Sequence, residues 1–211
     1  MSASVLVCFA VSQEARALQK LIRGRDDVRV IVTGMGARNA ERSIRAVLKE
    51  FQPARVFTCG FAGALNPELQ IGDVVFDRVT TRAERAMQLE SLHAQPALFL
   101  CAKTVAVTVG EKAALRSSSH ADVVEMESEI IHAVCAARGL ECVTLRAISD
   151  TAHEDLPLNF NVLLTPDERL SPARLAWAIM KAPQKIPALM RLGRNSARAA
   201  EQLGQVLAPL L

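Results

Sequence analysis

The sequence predicts a single α/β domain, and three features predict it. Short apolar runs of strand length alternate with longer stretches whose apolar residues recur at helical spacing. Glycine-containing turns separate several of them, as at Thr33 to Gly36 and Cys59 to Ala64. With 211 residues, half of them hydrophobic, the chain is long enough to bury one substantial core.

Taken in order, Ser4 to Val11 is an apolar run suited to a buried strand. Ser12 is placed to cap a helix from Glu14 to Ile22, with Ala17, Leu18, Leu21 and Ile22 on one face. Glu14 therefore falls in a first helical turn beside a strand's carboxyl end. Val28 to Val32 predicts a second strand, running through Thr33, Gly34, Met35 and Gly36 into a helix from about Asn39 to Glu50. Glycines at such a junction let backbone N–H groups approach an anion or a ribose. A dinucleotide fingerprint would need Gly or Ala where Asn39 stands, and no acid follows the next strand, so the glycine pair gives little support to an NAD site. Arg55 to Thr58 predicts the third strand. It leads into Cys59 to Ala64, small residues around Phe61 that suggest a backbone wrapped closely round a ligand, with Phe61 as a wall. A turn at Asn66 and Pro67 precedes a strand at Val74 to Phe76. Asp77 to Gln95 is polar and Arg-rich with weak periodicity, and reads as a surface excursion. Lys103 to Val109 predicts a strand, Glu111 to Arg116 a short helix and Ser117 to His120 a loop.

The stretch from Ala121 to Ala152 organises the rest. An apolar run ends in Glu125, Met126 and Glu127, a helix from about Ser128 to Arg138 stops at Gly139, and a buried strand from Cys142 to Ile148 delivers Ser149 and Asp150. Open α/β sheets bind ligands at the carboxyl ends of their strands, so Glu127 and Asp150 are placed to face one pocket.

Composition limits the function classes. A formal charge of +3, with basic residues scattered until the C-terminal quarter, does not suit nucleic-acid binding. The five cysteines lack a CxxC pair and lie mostly in apolar runs, which suits reduced core residues of a cytosolic protein; no metal cluster is evident. The apolar start lacks a basic region before it, and no run reaches the roughly 20 apolar residues of a membrane span.

The ordered set TGMG (Thr33 to Gly36), CGFAGAL (Cys59 to Leu65), IGDVV (Ile71 to Val75), VEMES (Val124 to Ser128) and RAISD (Arg146 to Asp150) resembles the purine nucleoside phosphorylase and nucleosidase superfamily. The resemblance implies a three-layer α/β/α fold on a mixed, partly barrel-like sheet, cleavage of the N-glycosidic bond between a purine-type base and ribose, and a homodimer. Such cleavage builds positive charge on the sugar and negative charge on the leaving base, so a site needs an acid at the base and a carboxylate at the ribose. By resemblance Asp150 is the acid, oriented by Ser149. Glu127 binds the ribose hydroxyls and supports the cationic transition state, Met126 lies against sugar and base, and Glu14 positions or deprotonates the attacking water. Gly36, Gly60 and Phe61 complete the substrate-binding set, while Glu125 is read as structural.

Departures from the pattern narrow the choice. Phosphate-using hexameric members resemble one another in two arginines whose places here are held by Ala10 to Glu14 and by Thr58. Arg38 or Arg82 would have to substitute, so water and phosphate both stay open as nucleophile, and no other cofactor is implied. Phe61 stands where methylthioadenosine nucleosidases commonly carry Ser. SQEARAL (Ser12 to Leu18), GFAGAL and the tail from Lys181 to Leu203 resemble hopanoid-associated phosphorylase-like proteins, which implies release of adenine from adenosylhopane, a lipid-linked nucleoside. The tail, about residues 172–211, is basic and amphipathic. Two readings stay open: an ordinary C-terminal helix packed on the domain, or a segment lying on an anionic bilayer at the inner face of the membrane. Pro183 and Pro187 argue against one continuous helix there.

Overall fold

The computed structural model describes residues 4–165, 167 and 171–211. In chain order its elements are β1 (Val5–Phe9), α1 (Ser12–Leu21), β2 (Val28–Val32), α2 (Ala37–Glu50), β3 (Arg55–Ala64), β4 (Val74–Asp77), α3 (Ala83–Ser91), β5 (Gln95–Ala97) and β6 (Phe99–Cys101). They continue with α4 (Val109–Ser119), β7 (Val123–Glu125), α5 (Ser128–Ala136), β8 (Glu141–Asp150), α6 (Phe160–Leu163), α7 (Pro172–Lys181) and α8 (Ile186–Leu207). The eight strands form one mixed sheet with the order β2-β1-β3-β8-β4-β5, and β7 and β6 branch from β3. This is the single-domain α/β fold that the sequence predicts.

Alternation along the strands sorts side chains into layers. Val5, Val7 and Phe9 face a core completed by Ala15 and Leu18 of α1, Leu89 of α3 and Ala199, Leu203 and Leu207 of α8. Leu6 and Cys8 face the opposite core, made with Ala40, Ile44 and Val47 of α2 and Ile131 and Val134 of α5. The sheet is thus covered on both faces, which is why β1 is apolar throughout.

Two strands carry the site. β3 and β8 run parallel from Arg55 opposite Glu141 to Gly63 opposite Asp150, nine residues of β3 against ten of β8. The register slips between Ala62 and Gly63: Ala62 pairs with Ile148 and Gly63 with Asp150, leaving Ser149 as an extra residue. In a regular strand Ser149 and Asp150 would point to opposite faces. The bulge turns both toward the same cavity.

Five expectations about local structure are corrected. The expected loop at Ser117 to His120 is helical as far as Ser119, where α4 ends with His120 as its left-handed cap. The third strand does not stop at Thr58 but continues through the small residues to Ala64, because Gly60 to Gly63 find a full ladder in β8. The polar excursion after Asp77 contains α3 and β5; its periodicity is weak because the nine-residue helix buries only Leu89. Lys103 to Val109 forms no strand. Val105 and Val107 look strand-like, but Val105 pairs with the Asn161 side-chain amide (N to Oδ1 2.9 Å, Nδ2 to O 2.9 Å), which stands in for a neighbouring strand. Ser12 does not cap α1: Val11 holds the cap position, and the Glu14 carboxylate takes its N–H at 3.0 Å.

The tail divides into two parts. As Pro183 and Pro187 require, α7 is separated from α8 by a 3-10 turn (Pro183–Lys185), and Pro187 sits in the first turn of α8, where its missing N–H is not needed. The second half of α8 is an ordinary packed helix, with Gly204 against α1 so closely that an added Cβ would lie 3.3 Å from the Leu18 backbone nitrogen. By contrast α7 buries none of its residues. Trp177, Met180 and Met190 are 56%, 68% and 60% exposed, which sets this surface apart from the packed half. Among the described residues no helix is long and apolar enough to cross a membrane.

Candidate active site

The carboxyl ends of β1, β3, β7 and β8 surround a cavity of about 250 Å³. Of the residues expected at the site, Glu14, Phe61, Met126, Glu127, Ser149 and Asp150 line it together. Gly36 and Gly60 do not line it but stand behind it. The Gly36 N–H donates to Glu127 Oε1 at 2.7 Å. A Cβ on Gly60 would come within 2.7 Å of Glu14 Oε1, so only glycine leaves room for that carboxylate.

Glu14 is buried and held by three backbone donors. Its Oε2 accepts from Ala10 (2.9 Å) and Val11 (3.0 Å), and its Oε1 from Phe61 (2.8 Å). Burial raises its pKa, and the N–H donors and the Arg146 charge offset part of that rise. The expectation of a first-turn acid is met, but the reason is a nest at the strand ends and not a solvated helix start.

Glu127 is 8% exposed, and its pKa is raised to about 7, first by burial and then by the neighbouring Glu125 charge, against Arg146 and the Gly36 N–H. It therefore changes charge near neutrality. Glu125 behaves oppositely. Burial works against its ionised form, yet the Arg146 guanidinium, the Ser128 hydroxyl (2.7 Å) and the N–H groups of Glu127 and Ser128 hold it below the usual carboxylate range. This fits the structural reading of Glu125, although part of it reaches the cavity wall.

The Ser149 hydroxyl donates to Asp150 Oδ1 at 2.8 Å, the orienting contact expected of it. Asp150 Oδ2 accepts from Lys112 Nζ at 2.6 Å. Lys112 was not legible as a site residue. It is the one buried residue of α4, yet it sits in a stretch, Glu111 to Arg116, that reads as an ordinary polar helix. Arg146 was also missed, although a lone cation inside the apolar run from Cys142 to Ile148 had to find an acid. It pairs with Glu125 and donates to the Thr58 carbonyl at 2.8 Å. Among the described residues the cavity is lined by four carboxylates, Glu14, Glu125, Glu127 and Asp150, with the buried cations Lys112 and Arg146 behind the wall, and by no Lys or Arg. Arg38 is exposed, and Arg82 lines a separate polar hollow with His132 and Glu141. Such a cavity favours positive charge developing inside it.

The remaining wall is largely apolar. Met35, Val105, Ala106, Leu156, Phe160 and Leu192 line it with Phe61, and Thr104 and Ser196 add hydroxyls. The C-terminal helix α8 thus contributes Leu192 and Ser196 to the cavity lining.

Comparison with known proteins agrees with this geometry. A family model described as the phosphorylase superfamily matches residues 10–76 and 76–181. A 5'-methylthioadenosine/S-adenosylhomocysteine nucleosidase of a Marinomonas strain is 28% identical over 173 residues, 65% of this chain and 74% of that protein. An aminodeoxyfutalosine nucleosidase of Campylobacter jejuni is 23% identical over 168 residues, 65% of this chain and 73% of that protein. Among solved structures, the Helicobacter pylori 5'-methylthioadenosine/S-adenosylhomocysteine nucleosidase bound to butyl-thio-DADMe-Immucillin-A has a similar fold. Its TM-score is 0.73 at 15% identity, over 99% of this chain and 97% of that one. From its sequence match and its fold, the chain belongs to the phosphorylase superfamily.

Proposed function

We propose that this protein cleaves the N-glycosidic bond of a 5'-substituted adenosine and releases adenine. The observation that carries the reading is the convergence of Glu14, Glu127 and Asp150 on one cavity. Asp150, oriented by Ser149, protonates the departing base. Glu127 in its ionised form holds the ribose hydroxyls and supports the cation as the C–N bond lengthens. Glu14, whose raised pKa makes it a better base than a free carboxylate, orients water and takes its proton. Water is the nucleophile in this reading, supported by a lining that among the described residues carries carboxylates and no cation.

The 5' substituent is a hydrocarbon in this reading, as in adenosylhopane. Phe61, Phe160 and Leu192 give the cavity an apolar wall, where an alkyl tail gains by leaving water and a polar one finds no partner. Leu192 belongs to α8, and on α7 and the first half of α8 exposed Trp177, Met180, Ile186 and Met190 alternate in the chain with exposed Lys181, Lys185, Arg191 and Arg194. No acid intervenes between Pro172 and Ala200. That combination suits a bilayer with anionic head groups and supports a reading in which the enzyme works in the cytoplasm at the inner membrane face. The protein acts as a homodimer in this reading.

A second reading, a soluble methylthioadenosine, adenosylhomocysteine or futalosine nucleosidase, is favoured by the named activities of the relatives. Adenine release measured with 5'-alkyladenosines of increasing length and with methylthioadenosine, each with and without phosphate, separates the two. A specificity constant that rises with alkyl length supports the lipid substrate; a preference for methylthioadenosine assigns the second reading, and dependence on phosphate removes water as nucleophile.

A further inference from the structure

A lysine with 1% of its side chain exposed is costly to bury unless every proton on its nitrogen finds an acceptor. The Lys112 ammonium has three protons and three acceptors: Asp150 Oδ2 at 2.6 Å, the Thr151 carbonyl at 2.6 Å and the Glu154 carbonyl at 3.1 Å. The acid beside it in the chain, Glu111, and those beside its carbonyl acceptors, Glu154 and Asp155, are turned elsewhere. Glu111 accepts from the Val107 and Thr108 N–H groups, Asp155 from Val109 and Glu154 from Thr151. Asp150 is thus the acid bonded to Nζ.

We propose that Lys112 is the positioning residue that supplies Asp150 with the proton it delivers to the leaving base. The proposal rests on the nucleoside-cleavage reading above. An ammonium facing a carboxylate and an amine facing a carboxylic acid contain the same protons, so the pair stores one transferable proton. When it moves from Nζ to Oδ2, the neutral amine keeps two N–H groups for Thr151 and Glu154 and turns its lone pair to the new O–H. Neither state leaves a buried group without a partner, so the transfer carries no desolvation penalty. The two oxygens of Asp150 are divided between tasks. Oδ1 is fixed by Ser149, while Oδ2 lies beside Gly63 on the cavity wall, 3.1 Å from where a Cβ would be.

The step then balances. The C1'–N9 bond breaks with its electron pair going to the base. The Oδ2–H, turned about the C–O bond toward the base, gives its proton to a ring nitrogen. Water adds to the ribosyl cation and loses a proton to Glu14. Lys112 regains a proton from solvent and Glu14 releases one, so the net reaction is nucleoside plus water to adenine plus sugar.

The test compares two leaving groups in one protein. 5'-Butylthioadenosine needs a proton on its departing base, whereas 4-nitrophenyl β-D-ribofuranoside leaves as a stable anion. In Lys112→Met the ratio of kcat for the first substrate to kcat for the second is expected to fall at least about 100-fold, within the range typical of general acid catalysis. Because it is a ratio, any loss of folded protein cancels. Lys112→Arg is expected to fall similarly, since a guanidinium keeps the charge and the hydrogen bonds but does not give up a proton. A ratio within threefold of wild type in Lys112→Met, or adenine release restored by Lys112→Arg, would reduce Lys112 to a structural counter-charge and overturn the proposal. Asp150→Asn separates the layers: if it is inactive while the Lys112 variants keep the wild-type ratio, the relay fails and the nucleosidase reading stands. If Asp150→Asn releases adenine normally, both fall.

Discussion

Replacing Glu127 by Gln is expected to make the protein more stable at pH 8 while removing its activity. The native carboxyl titrates at about 7 against an ordinary value of 4.5. Below pH 4.5 both folded and unfolded chains hold the proton, and the residue is neutral to stability. Between 4.5 and 7 the unfolded chain releases the proton and the folded one keeps it, so stability falls as pH rises and the full penalty is present above 7. At about 1.4 kcal/mol per pH interval, that penalty is about 3 kcal/mol as an upper bound. Glutamine retains an oxygen for the Gly36 N–H and carries no charge to bury beside Glu125. For a chain of this length the gain corresponds to about 6 to 12 °C in Tm at pH 8, shrinking toward zero at pH 4.5. Calorimetric melting of both proteins from pH 4.5 to 8.5 measures it, and kcat for adenine release in the variant should fall about 100-fold or more with a smaller change in KM. A variant that melts lower than wild type at pH 8, or a Tm difference independent of pH, would refute the reasoning.

Four further outcomes follow. Asp150→Asn should abolish adenine release with its melting unchanged within a few degrees; near-normal turnover would remove Asp150 from the mechanism. The kcat/KM of the wild type should rise with pH through about 7 as Glu127 ionises, and a profile flat between pH 5.5 and 8.5 would count against an ionised Glu127 at the ribose. Gly60→Ala, which drives a methyl to within 2.7 Å of Glu14 Oε1, should lower kcat at least about tenfold, measured beside Gly193→Ala, a helical position where an added Cβ meets nothing within 4 Å. Neutralising Lys185, Arg191 and Arg194 together should weaken sedimentation with vesicles containing anionic lipid while cleavage of a soluble 5'-alkyladenosine persists; unchanged vesicle binding would remove the membrane assignment.

Much of this arrangement is legible in the sequence. β1, α1, β2, α2 and the core of β8 appear where apolar period and turn residues place them, because each buries a face whose spacing the sequence displays. The carboxylates came through the ordered motifs and not through spacing alone, since a lone Glu14 or Asp150 looks like any surface acid. What was hidden is what depends on contacts far apart in the chain. The loop at Lys103 to Val109 carries strand-like residues but is satisfied by the side chain of Asn161, 56 residues from Val105. Lys112 looks like a solvated helix residue until Asp150, Thr151 and Glu154 fold over it. Arg198 of the basic tail is exposed yet lies against Gly72, where a Cβ would meet its Nε at 3.3 Å, a contact 126 residues distant in the chain.

The bulge between β3 and β8 gives the site an unusual sensitivity. Asp150 reaches the cavity because β8 carries one residue more than β3 over the same distance, so its aim is set by counting along the chain as well as by chemistry. Substitutions among the apolar residues 142–148 change packing and are open to compensation by neighbours. Removing one residue from that span would rotate every later side chain to the other face of the sheet. Serine and aspartate would then both be intact in the sequence and absent from the pocket. Variants of β8 that alter length should therefore lose function abruptly where substitutions lose it by degrees.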